Sequence, residues 1–181
     1  SSDGFVKMWL GFIPGEKNNV AKAECEIDAS IEECCAWDYL STSRSRLNKF
    51  YRGNGIQREV KVKNSRCRTV RSVYDLTGLS SIMQRELVTK VVWKRSASGN
   101  KMTTAYASVN GNDFPPNDKF VRMVGGTLIY FERLSSIFDI PRTKLVFYSQ
   151  VSLGGNIPIK FVNSRARGFL SHVSVMRSRF S

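Results

Sequence analysis

The most versatile chemistry in this sequence belongs to a single histidine. His172 is the only imidazole in the chain, and it directly follows Ser171. Neighbouring residues on a helix point apart, so this pair alone cannot make the hydroxyl–imidazole contact of a nucleophilic site. The sequence also shows no acidic partner for the histidine. We therefore predict no catalytic residue, and we expect His172 at the surface or facing an opening of the fold.

The chain also has four cysteines, at positions Cys25, Cys34, Cys35 and Cys67. Their spacing assembles no pair of C-x-x-C motifs, and with one histidine in the chain we expect no metal site and no cofactor. Cys34 and Cys35 lie in an apolar helical stretch, which is typical of buried thiols rather than of a disulfide framework. A reducing, cytoplasmic compartment is the resulting prediction.

Basic residues far outnumber acidic ones. The 28 Lys and Arg against 15 Asp and Glu give a net charge of +13, with basic clusters at 58–71 and 165–179. Anionic lipid headgroups would attract such residues by about 1 kcal/mol each, and a nucleic-acid backbone would attract them too. Long basic side chains also protect exposed strands. Because the aromatics fall mostly in apolar-periodic strands and no recognition motif is present, we expect an anionic membrane surface as a transient partner and no nucleic acid.

Length and composition predict one folded domain. The chain has 181 residues, of which 41% are hydrophobic, enough to bury a sizeable core. No apolar run reaches the roughly 18 to 20 residues of a membrane-spanning helix, and Ser1 to Gly4 do not resemble a signal peptide. A first residue other than Met suggests a piece of a longer protein. We expect a monomeric domain over 1–181, in which 1–20 is a lead-in segment.

The elements that would position these residues begin with a strand and a helix. Ala21 to Ala29 alternate small apolar and charged residues with the period of a half-buried strand. Ser30 with Glu33 three residues later forms a capping-box pattern, which predicts a helix from Ser30 to the early forties. The polar, basic stretch 41–49 and the turn cluster 51–55 receive no element.

Period-two alternation then predicts a series of strands. They fall at about 58–63, 69–74, 86–94, 102–109, 120–123, 127–133 and 144–153. The segment 76–82 is predicted as a short irregular or helical connection, and 110–119 as a true loop, because two prolines and Gly/Asn pairs exclude any element there. Helical spacing returns after Ile157. The fold class is therefore α+β: a curved antiparallel β-sheet whose concave face is covered by a long C-terminal α-helix.

Three stretches, in the same order, resemble the START family of lipid-transfer domains. Gln84–Val88 is similar to the family's R-D-F-V strand opening, although Glu86 replaces its Asp, and Thr104–Val109 is similar to the next strand, which ends in S-V. Thr143–Asn163 resembles the family's strand, G-x-I/L-P run and apolar-to-Asn opening of the last helix. The resemblance covers about 21–179. Val91 stands where some sterol-binding members carry an arginine.

The resemblance implies the helix-grip fold, in which the sheet wraps around the C-terminal helix and encloses a hydrophobic tunnel. The tunnel would hold one lipid of the sterol, phospholipid or ceramide class, for transfer between membranes or for lipid sensing, without catalysis. The lipid-binding residues it implies are Leu87, Val91, Trp93, Tyr106, Phe131, Leu145, Phe147, Val151, Ala166, Leu170 and Val173. An ordinary filled core would show the same alternation, so core packing remains open for each of them.

The resemblance further implies a membrane gate. The loop Asn110–Lys119 would act with the last helix, and Phe114, Pro115 and Pro116 would form its apolar tip. The alternative is a solvated loop whose phenylalanine folds back onto the surface. The gate implies a cytoplasmic protein that is peripheral at membranes.

Three other functions remain open at this point. A basic nucleic-acid-binding or protein-interaction domain with a filled core would have the same net charge. An enzyme is a second alternative, since related helix-grip folds include cyclases and hydrolases that use acidic, histidine or tyrosine side chains in the cavity. A third is a domain that binds lipid only to regulate a neighbouring domain.

Overall fold

The computed structural model describes residues 5–15, 18–76, 83–155, 157 and 159–180, and within these the side chains of 159–167 and 169 are outside the description. In chain order the elements are β1 (Lys7–Gly11), β2 (Val20–Ile27), α1 (Ile31–Tyr39), α2 (Arg44–Arg52), β3 (Gly55–Asn64), β4 (Cys67–Tyr74), β5 (Arg85–Arg95), β6 (Lys101–Ser108), β7 (Val121–Arg122), β8 (Val124–Ile137), β9 (Ile140–Ser152) and α3 (Ile159–Phe180).

The nine strands form one curved sheet. Its order is β1-β2-β9-β8-β6-β5-β4-β3, and all neighbours along that path are antiparallel. The two-residue strand β7 lies off the path and pairs with the start of β5 in the parallel sense. The predicted α+β class, with a curved sheet and a C-terminal helix, is confirmed.

Local sequence explains the elements that were predicted correctly. In β2 the alternate residues Ala21, Ala23, Cys25 and Ile27 are buried and the residues between them are not, because successive side chains of a strand point to opposite faces. At the start of α1, the Ser30 hydroxyl accepts a hydrogen bond from the backbone N–H of Glu33, and the Glu33 carboxylate accepts one from the backbone N–H of Ser30. This capping box satisfies two otherwise unpaired helix donors.

Two parts of the sequence interpretation are wrong. The basic stretch after α1 is not irregular, because it forms the helix α2. The break expected between the strands 120–123 and 127–133 is also misplaced, since Gly125 and Gly126 lie inside β8. A side chain at Gly125 would place its Cβ 2.4 Å from the carbonyl oxygen of Gln150, so glycine permits the close approach of β8 to β9 there.

The main core lies between the concave face of the sheet and helices α1 and α3. Strands β2, β8 and β9 contribute Ile27, Phe131 and Leu145, which are all fully buried. From α3, Leu170, Val173 and Met176 enter the same core, and their spacing of three places them on one face of the helix. The helix therefore covers the sheet as the sequence predicted.

The turn between β9 and α3 depends on two glycines in sequence. Gly154 and Gly155 have φ angles of 68° and 64°, a left-handed conformation that L side chains rarely adopt. A Cβ at Gly154 would also lie 2.7 Å from the carbonyl oxygen of Arg122. Glycine at both positions therefore permits the sharp turn before the last helix. The predicted connection over 76–82 lies outside the described residues, apart from Leu76.

None of the described helices is both long and apolar enough to cross a membrane.

Candidate ligand-binding cavity

A cavity of about 210 Å³ lies under the concave face of the sheet, beside the main core. Strands β3, β4, β5, β6, β8 and β9 supply one side of its wall, and residues of α1, α2 and α3 supply the other. Its apolar wall residues are Val70, Leu87, Ile129, Phe147 and Val151. They come from four different strands, and strand alternation turns each of them to the inner face.

Polar side chains share the wall with these apolar ones. Ser72, Thr89, Thr127 and Ser149 lie two residues from apolar wall residues on the same strands. Ser41 adds another hydroxyl, and the ionisable wall residues are Asp38, Arg46, Arg58, Tyr74, Tyr106 and His172. The Thr127 and Ser149 hydroxyls lie 2.9 Å apart and bond to each other across β8 and β9. The cavity is therefore amphipathic: its sheet wall mixes apolar side chains with hydroxyl groups, and its polar end is formed by ionisable residues of α1, α2, β3 and α3.

Asp38 is the buried centre of that polar end, with 1% of its surface exposed. The Tyr106 hydroxyl donates to Asp38 Oδ2 at 2.8 Å, and His172 Nε2 lies 2.9 Å from Asp38 Oδ1. Burial, and then the negative charge of Asp38, raise the pKa of Tyr106 well above its usual value, so the phenol stays protonated and remains a donor. These two bonds connect α1 to β6 and to α3.

Two arginines line the same end of the cavity, and a third, Arg68, lies behind Ser41. Arg46 donates to the carbonyl oxygen of Trp37 at 3.3 Å, and Arg58 donates to the Ser72 hydroxyl at 3.1 Å. Ser41 joins two of them, because its carbonyl accepts from Arg58 and its hydroxyl accepts from Arg68, both at 3.3 Å. Burial lowers the pKa of Arg46 and of Arg68, which measures the cost of removing these cations from water.

Comparison of the whole structure with solved structures finds lipid-transfer proteins of several kinds. The human StarD13 lipid transfer and protein localization domain aligns with a TM-score of 0.74 at 17% identity, over 100% of this chain and 87% of that one. Human StAR-related lipid transfer protein 5 aligns with a TM-score of 0.72 at 20% identity, over 98% and 84% of the two chains. A STAR-related lipid transfer protein from Xanthomonas axonopodis gives 0.74 at 13% identity, over 98% and 94%.

The chain has the START fold. The resemblance inferred from the three sequence stretches is thus confirmed at the level of the fold, and so is the helix-grip architecture. No family model matches the sequence, and no curated protein matches it either.

Four of the residues that the START resemblance implied line the cavity of this START fold. They are Leu87, Tyr106, Phe147 and Val151. Leu87 and Val151 also pack with Tyr74 and Ile157 in a small second cluster around Met123 and Leu153. Their role as lipid contacts stays a prediction, but their position at the cavity wall is the one that such a role requires.

The other implied contacts have different surroundings. Phe131, Leu145, Leu170 and Val173 belong to the closely packed main core rather than to the cavity wall. Val91 is fully buried on the inner face of β5. Trp93 lies in a separate surface groove beside Met102, where its indole N–H donates to the carbonyl oxygen of Ser65 at 2.9 Å. The side chain of Ala166 lies outside the described residues.

The expectation that Phe114 forms part of an exposed apolar tip of the loop is wrong. Phe114 is not exposed: only 7% of it is accessible, and the ammonium group of Lys61 lies 4.8 Å from the centre of its ring. Asp113 holds the loop down, because its carboxylate accepts a bond from the Thr69 hydroxyl at 2.8 Å. Pro115 and Pro116 remain exposed. The Lys61 ammonium group above the ring and the bond between Asp113 and Thr69 together favour the folded-back conformation of Phe114.

His172 also differs from its expected position. It is only a quarter exposed and has a buried acidic partner, Asp38, and the rings of Trp37 and Phe147 lie 5.4 and 6.0 Å from it. The sequence interpretation looked for an acid near His172 in the chain, whereas Asp38 lies 134 residues away. It also missed the polar cavity residues Asp38, Ser41, Arg46, Arg58 and Ser72.

The Arg85-Glu86 pair of the resemblance has a structural position. The Arg85 guanidinium donates to the carbonyl oxygens of Leu153 and Met83, which ties the start of β5 to the end of β9. Glu86 is buried and forms ion pairs with Arg71 and with Arg122. Neither residue belongs to the cavity wall described above.

Proposed function

We propose that the chain is a single lipid-binding domain, which holds one hydrophobic lipid in the cavity under its sheet for transfer between membranes or for lipid sensing. The amphipathic cavity is the observation that carries this proposal. An apolar surface formed by several strands removes a hydrocarbon ligand from water, which contributes about 25 cal/mol for each Å² buried. The aligned START-fold proteins are lipid transfer proteins, which supports the same class of ligand.

The size of the cavity bears on how a ligand enters. About 210 Å³ is below the roughly 300 to 1,000 Å³ of pockets that hold drug-sized ligands. A sterol or a phospholipid therefore requires the elements around the cavity to move apart. The loop 110–119 and α3 are the proposed gate, and the two left-handed glycines Gly154 and Gly155 supply a turn at the base of α3 about which the helix could pivot.

The proposed site of membrane contact is the loop 110–119. The loop leaves the sheet at the end of β6, next to Gly125, and Gly125 is part of the cavity wall. Its exposed prolines would meet the membrane first, and Phe114 would follow if the loop opens. Contact with an anionic, peripheral surface is consistent with the net charge of +13.

The test is to identify what the protein carries. The protein is purified without detergent from a eukaryotic host, its mass is measured under native conditions, and bound lipid is extracted and identified. We expect one lipid per protein molecule. An unliganded mass, combined with no uptake from mixed-lipid vesicles, would contradict the proposal and favour a protein-interaction or nucleic-acid role.

A matched pair of variants locates the ligand. Leu87 and Lys90 lie on β5, but Leu87 lines the cavity whereas Lys90 is exposed on the other face. Leu87→Trp adds bulk inside the cavity and should reduce lipid occupancy, while Lys90→Trp should leave it unchanged. Equal occupancy in both variants would mean that the lipid binds elsewhere.

A further inference from the structure

The polar end of the cavity has more positive charge than its neighbours neutralise. Arg46, Arg58 and Arg68 bond to carbonyl and hydroxyl oxygens, and no ion pair joins any of them to a carboxylate within the described part of the chain. Asp38 is the carboxylate whose charge acts on Arg46 and Arg68. Both of its oxygens are already hydrogen-bonded to Tyr106 and His172. Three guanidinium charges therefore face one carboxylate.

Arg68 shows the imbalance most directly. Only 3% of this residue is exposed, and its Nε has no hydrogen-bond acceptor. Buried charged donors are normally paired, because an unpaired one retains its full desolvation cost. The positive charge of Arg68 therefore lies uncompensated behind Ser41, which is part of the cavity wall although Arg68 itself is not.

The three guanidinium groups are held in place by aromatic rings. Arg46 lies 3.9 Å from the ring centre of Trp37, Arg58 lies 3.8 Å from that of Phe50, and Arg68 lies 4.0 Å from that of Tyr39. Stacking on an aromatic face orients a guanidinium without neutralising its charge. Its N–H groups thus remain in a fixed geometry that suits a planar carboxylate or a phosphate.

We propose that this arginine cluster is the head-group site of the cavity, and that the preferred ligand is an amphiphile with one anionic group, a carboxylate or a phosphate. The head would bind between Arg46, Arg58 and Ser41, and the apolar tail would lie against the sheet wall. The inference rests on the proposed function and adds to it the class of ligand.

The arrangement of the wall allows one ligand to contact both the arginine cluster and the apolar wall residues. Arg58 and Ser72 face each other in the register of β3 and β4, and Val70 lies two residues before Ser72 on the inner face of β4. The polar wall thus passes directly into the apolar wall along a single strand. A ligand whose head contacts Ser72 and Arg58 would have its first methylene groups at Val70.

The experiment is calorimetric titration with ligands that share one chain and differ in the head. Dodecanoate and dodecyl phosphate carry the anionic groups, dodecan-1-ol has the same chain without charge, and inorganic phosphate has the charge without a chain. We expect both alkyl anions to bind at least tenfold more tightly than dodecan-1-ol. We also expect inorganic phosphate to bind far more weakly than dodecyl phosphate.

Variants assign the difference to the arginines. Arg58→Gln should weaken the binding of both alkyl anions about tenfold or more, because it removes charge-assisted hydrogen bonds, and should leave dodecan-1-ol within about twofold. Arg44→Gln, an exposed position on the same helix as Arg46, removes the same charge and should change nothing. If Arg58→Gln does not fold, Arg46→Gln and Arg58→Lys give a second measurement. Arg58→Lys keeps the positive charge and should lose less affinity for dodecyl phosphate than Arg46→Gln does.

The outcomes separate this inference from the proposed function. Equal affinity for dodecanoate and dodecan-1-ol, unchanged by Arg58→Gln, would overturn the anionic head-group site and leave a lipid cavity standing. Inorganic phosphate that binds as tightly as dodecyl phosphate would overturn both, since the site would then take a free anion and the tail would contribute nothing. A failure of every probe to bind would also overturn both.

Discussion

Asp38 joins three parts of the chain that are distant in sequence. It belongs to α1, and it bonds to Tyr106, 68 residues away on β6, and to His172, 134 residues away on α3. A buried carboxylate with two hydrogen-bonding partners is far less costly than an unpaired one. The position of the last helix over the cavity therefore depends in part on one side chain of the first helix.

We predict that Asp38→Asn destabilises the folded protein by about 1 to 3 kcal/mol. The two partners bond to different carboxylate oxygens, and the amide keeps only one of these oxygens and carries no negative charge, so the contacts with Tyr106 and His172 are weakened. Urea unfolding measures the change. Asp139→Asn is the control, because Asp139 is exposed in a turn with φ of 63°, a conformation that asparagine also adopts readily. Equal stability of the two variants would contradict the role assigned to Asp38.

Two cysteines of α1 predict how stability depends on alkaline pH. Burial raises the pKa of Cys34 to about 12 and that of Cys35 to about 11, whereas a thiol in the unfolded chain titrates near 8.5. The folded state thus favours the protonated thiols. The stability that they contribute is complete below about pH 8.5 and is lost as the pH rises toward the folded pKa values.

For Cys35 this loss is at most about 1.4 kcal/mol for each pH unit above 9. Urea unfolding of the wild type and of Cys35→Ala between pH 8 and 10.5 gives the free energy of unfolding as a function of pH. The difference between the two slopes belongs to this thiol, and we expect the free energy of unfolding of the variant to depend less on pH. Cys67→Ser is the control, because Cys67 is only half-buried. The same slope in all three proteins would show that Cys35 is accessible in the folded state.

The sequence predicted buried thiols correctly but missed the acid beside them. Ile31, Cys34, Cys35 and Asp38 are the buried residues of α1, and their spacing of three, four and seven marks one helix face. A carboxylate on that face already indicates a buried, partnered acid. Its partners were beyond sequence reasoning, because no local pattern relates α1 to β6 or to α3.

At the scale of elements, α2 shows why a helix can escape detection. It has one acceptable N-cap residue, Ser43, which makes no side-chain capping bond, and none of its residues is fully buried. Its packing instead depends on tertiary contacts: Arg46 stacks on Trp37, and Phe50 meets Tyr74 edge to face with ring centres 5.4 Å apart. Such contacts stabilise a short helix whose own sequence favours it weakly.

The strands were more predictable, since alternation reports directly which face of a strand is buried. Strand β5 followed this rule, because Leu87, Thr89, Val91 and Trp93 lie at alternate positions and so share one face. The glycines of β8 did not, because Gly125 serves the close approach of two strands rather than a turn. Residue type alone does not distinguish these two uses of glycine.

The gate loop and the opposite hairpin provide an element-scale prediction. Pro116 is exposed on the loop 110–119, and Phe138 is 94% exposed at the turn between β8 and β9, at the far end of β8 from Gly125. If the loop contacts the membrane, Pro116→Asp should weaken binding to vesicles of phosphatidylserine and phosphatidylcholine several-fold, since a carboxylate is repelled by the anionic surface.

Phe138→Asp introduces the same charge at the other end of the sheet and should leave vesicle binding unchanged. Its φ of 49° is one that aspartate tolerates better than phenylalanine, so the variant should fold normally. Vesicle flotation measures both proteins. Loss of binding in Phe138→Asp alone would move the membrane contact to the hairpin and contradict the proposed gate.

For the whole molecule, the fold was predictable and the cavity was not. Period-two strands followed by a helical tail specify a sheet covered by a helix, because each element must bury its apolar face. The volume left under the sheet depends instead on how side chains such as Ile129 and Phe147 meet across it, and one methylene group more or less alters that volume. No alternation pattern carries this information.

The distribution of ion pairs shows that the net charge is available to a partner. Two acidic residues are each shared between two arginines: Glu86 between Arg71 and Arg122, and Glu32 between Arg95 and Arg133. Even with this sharing the carboxylates are too few to neutralise the basic residues, since the chain has 28 Lys and Arg against 15 Asp and Glu. The excess acts over about one Debye length, roughly 10 Å at 0.1 M salt and 30 Å at 0.01 M.

We therefore predict that the domain binds vesicles containing phosphatidylserine, that binding weakens steeply between about 20 and 300 mM NaCl, and that vesicles of phosphatidylcholine alone bind weakly at every salt concentration. Co-sedimentation measures the bound fraction, and a single-stranded RNA added at equal charge concentration provides the rival partner.

An RNA would also bind at low salt, because its phosphates attract any cationic surface. We expect RNA binding to be lost at physiological salt, and we expect a lipid-loaded domain still to exchange its ligand with vesicles there. If RNA displaces the domain from vesicles at 150 mM NaCl, the positive surface prefers a nucleic acid, and the proposed membrane contact is contradicted.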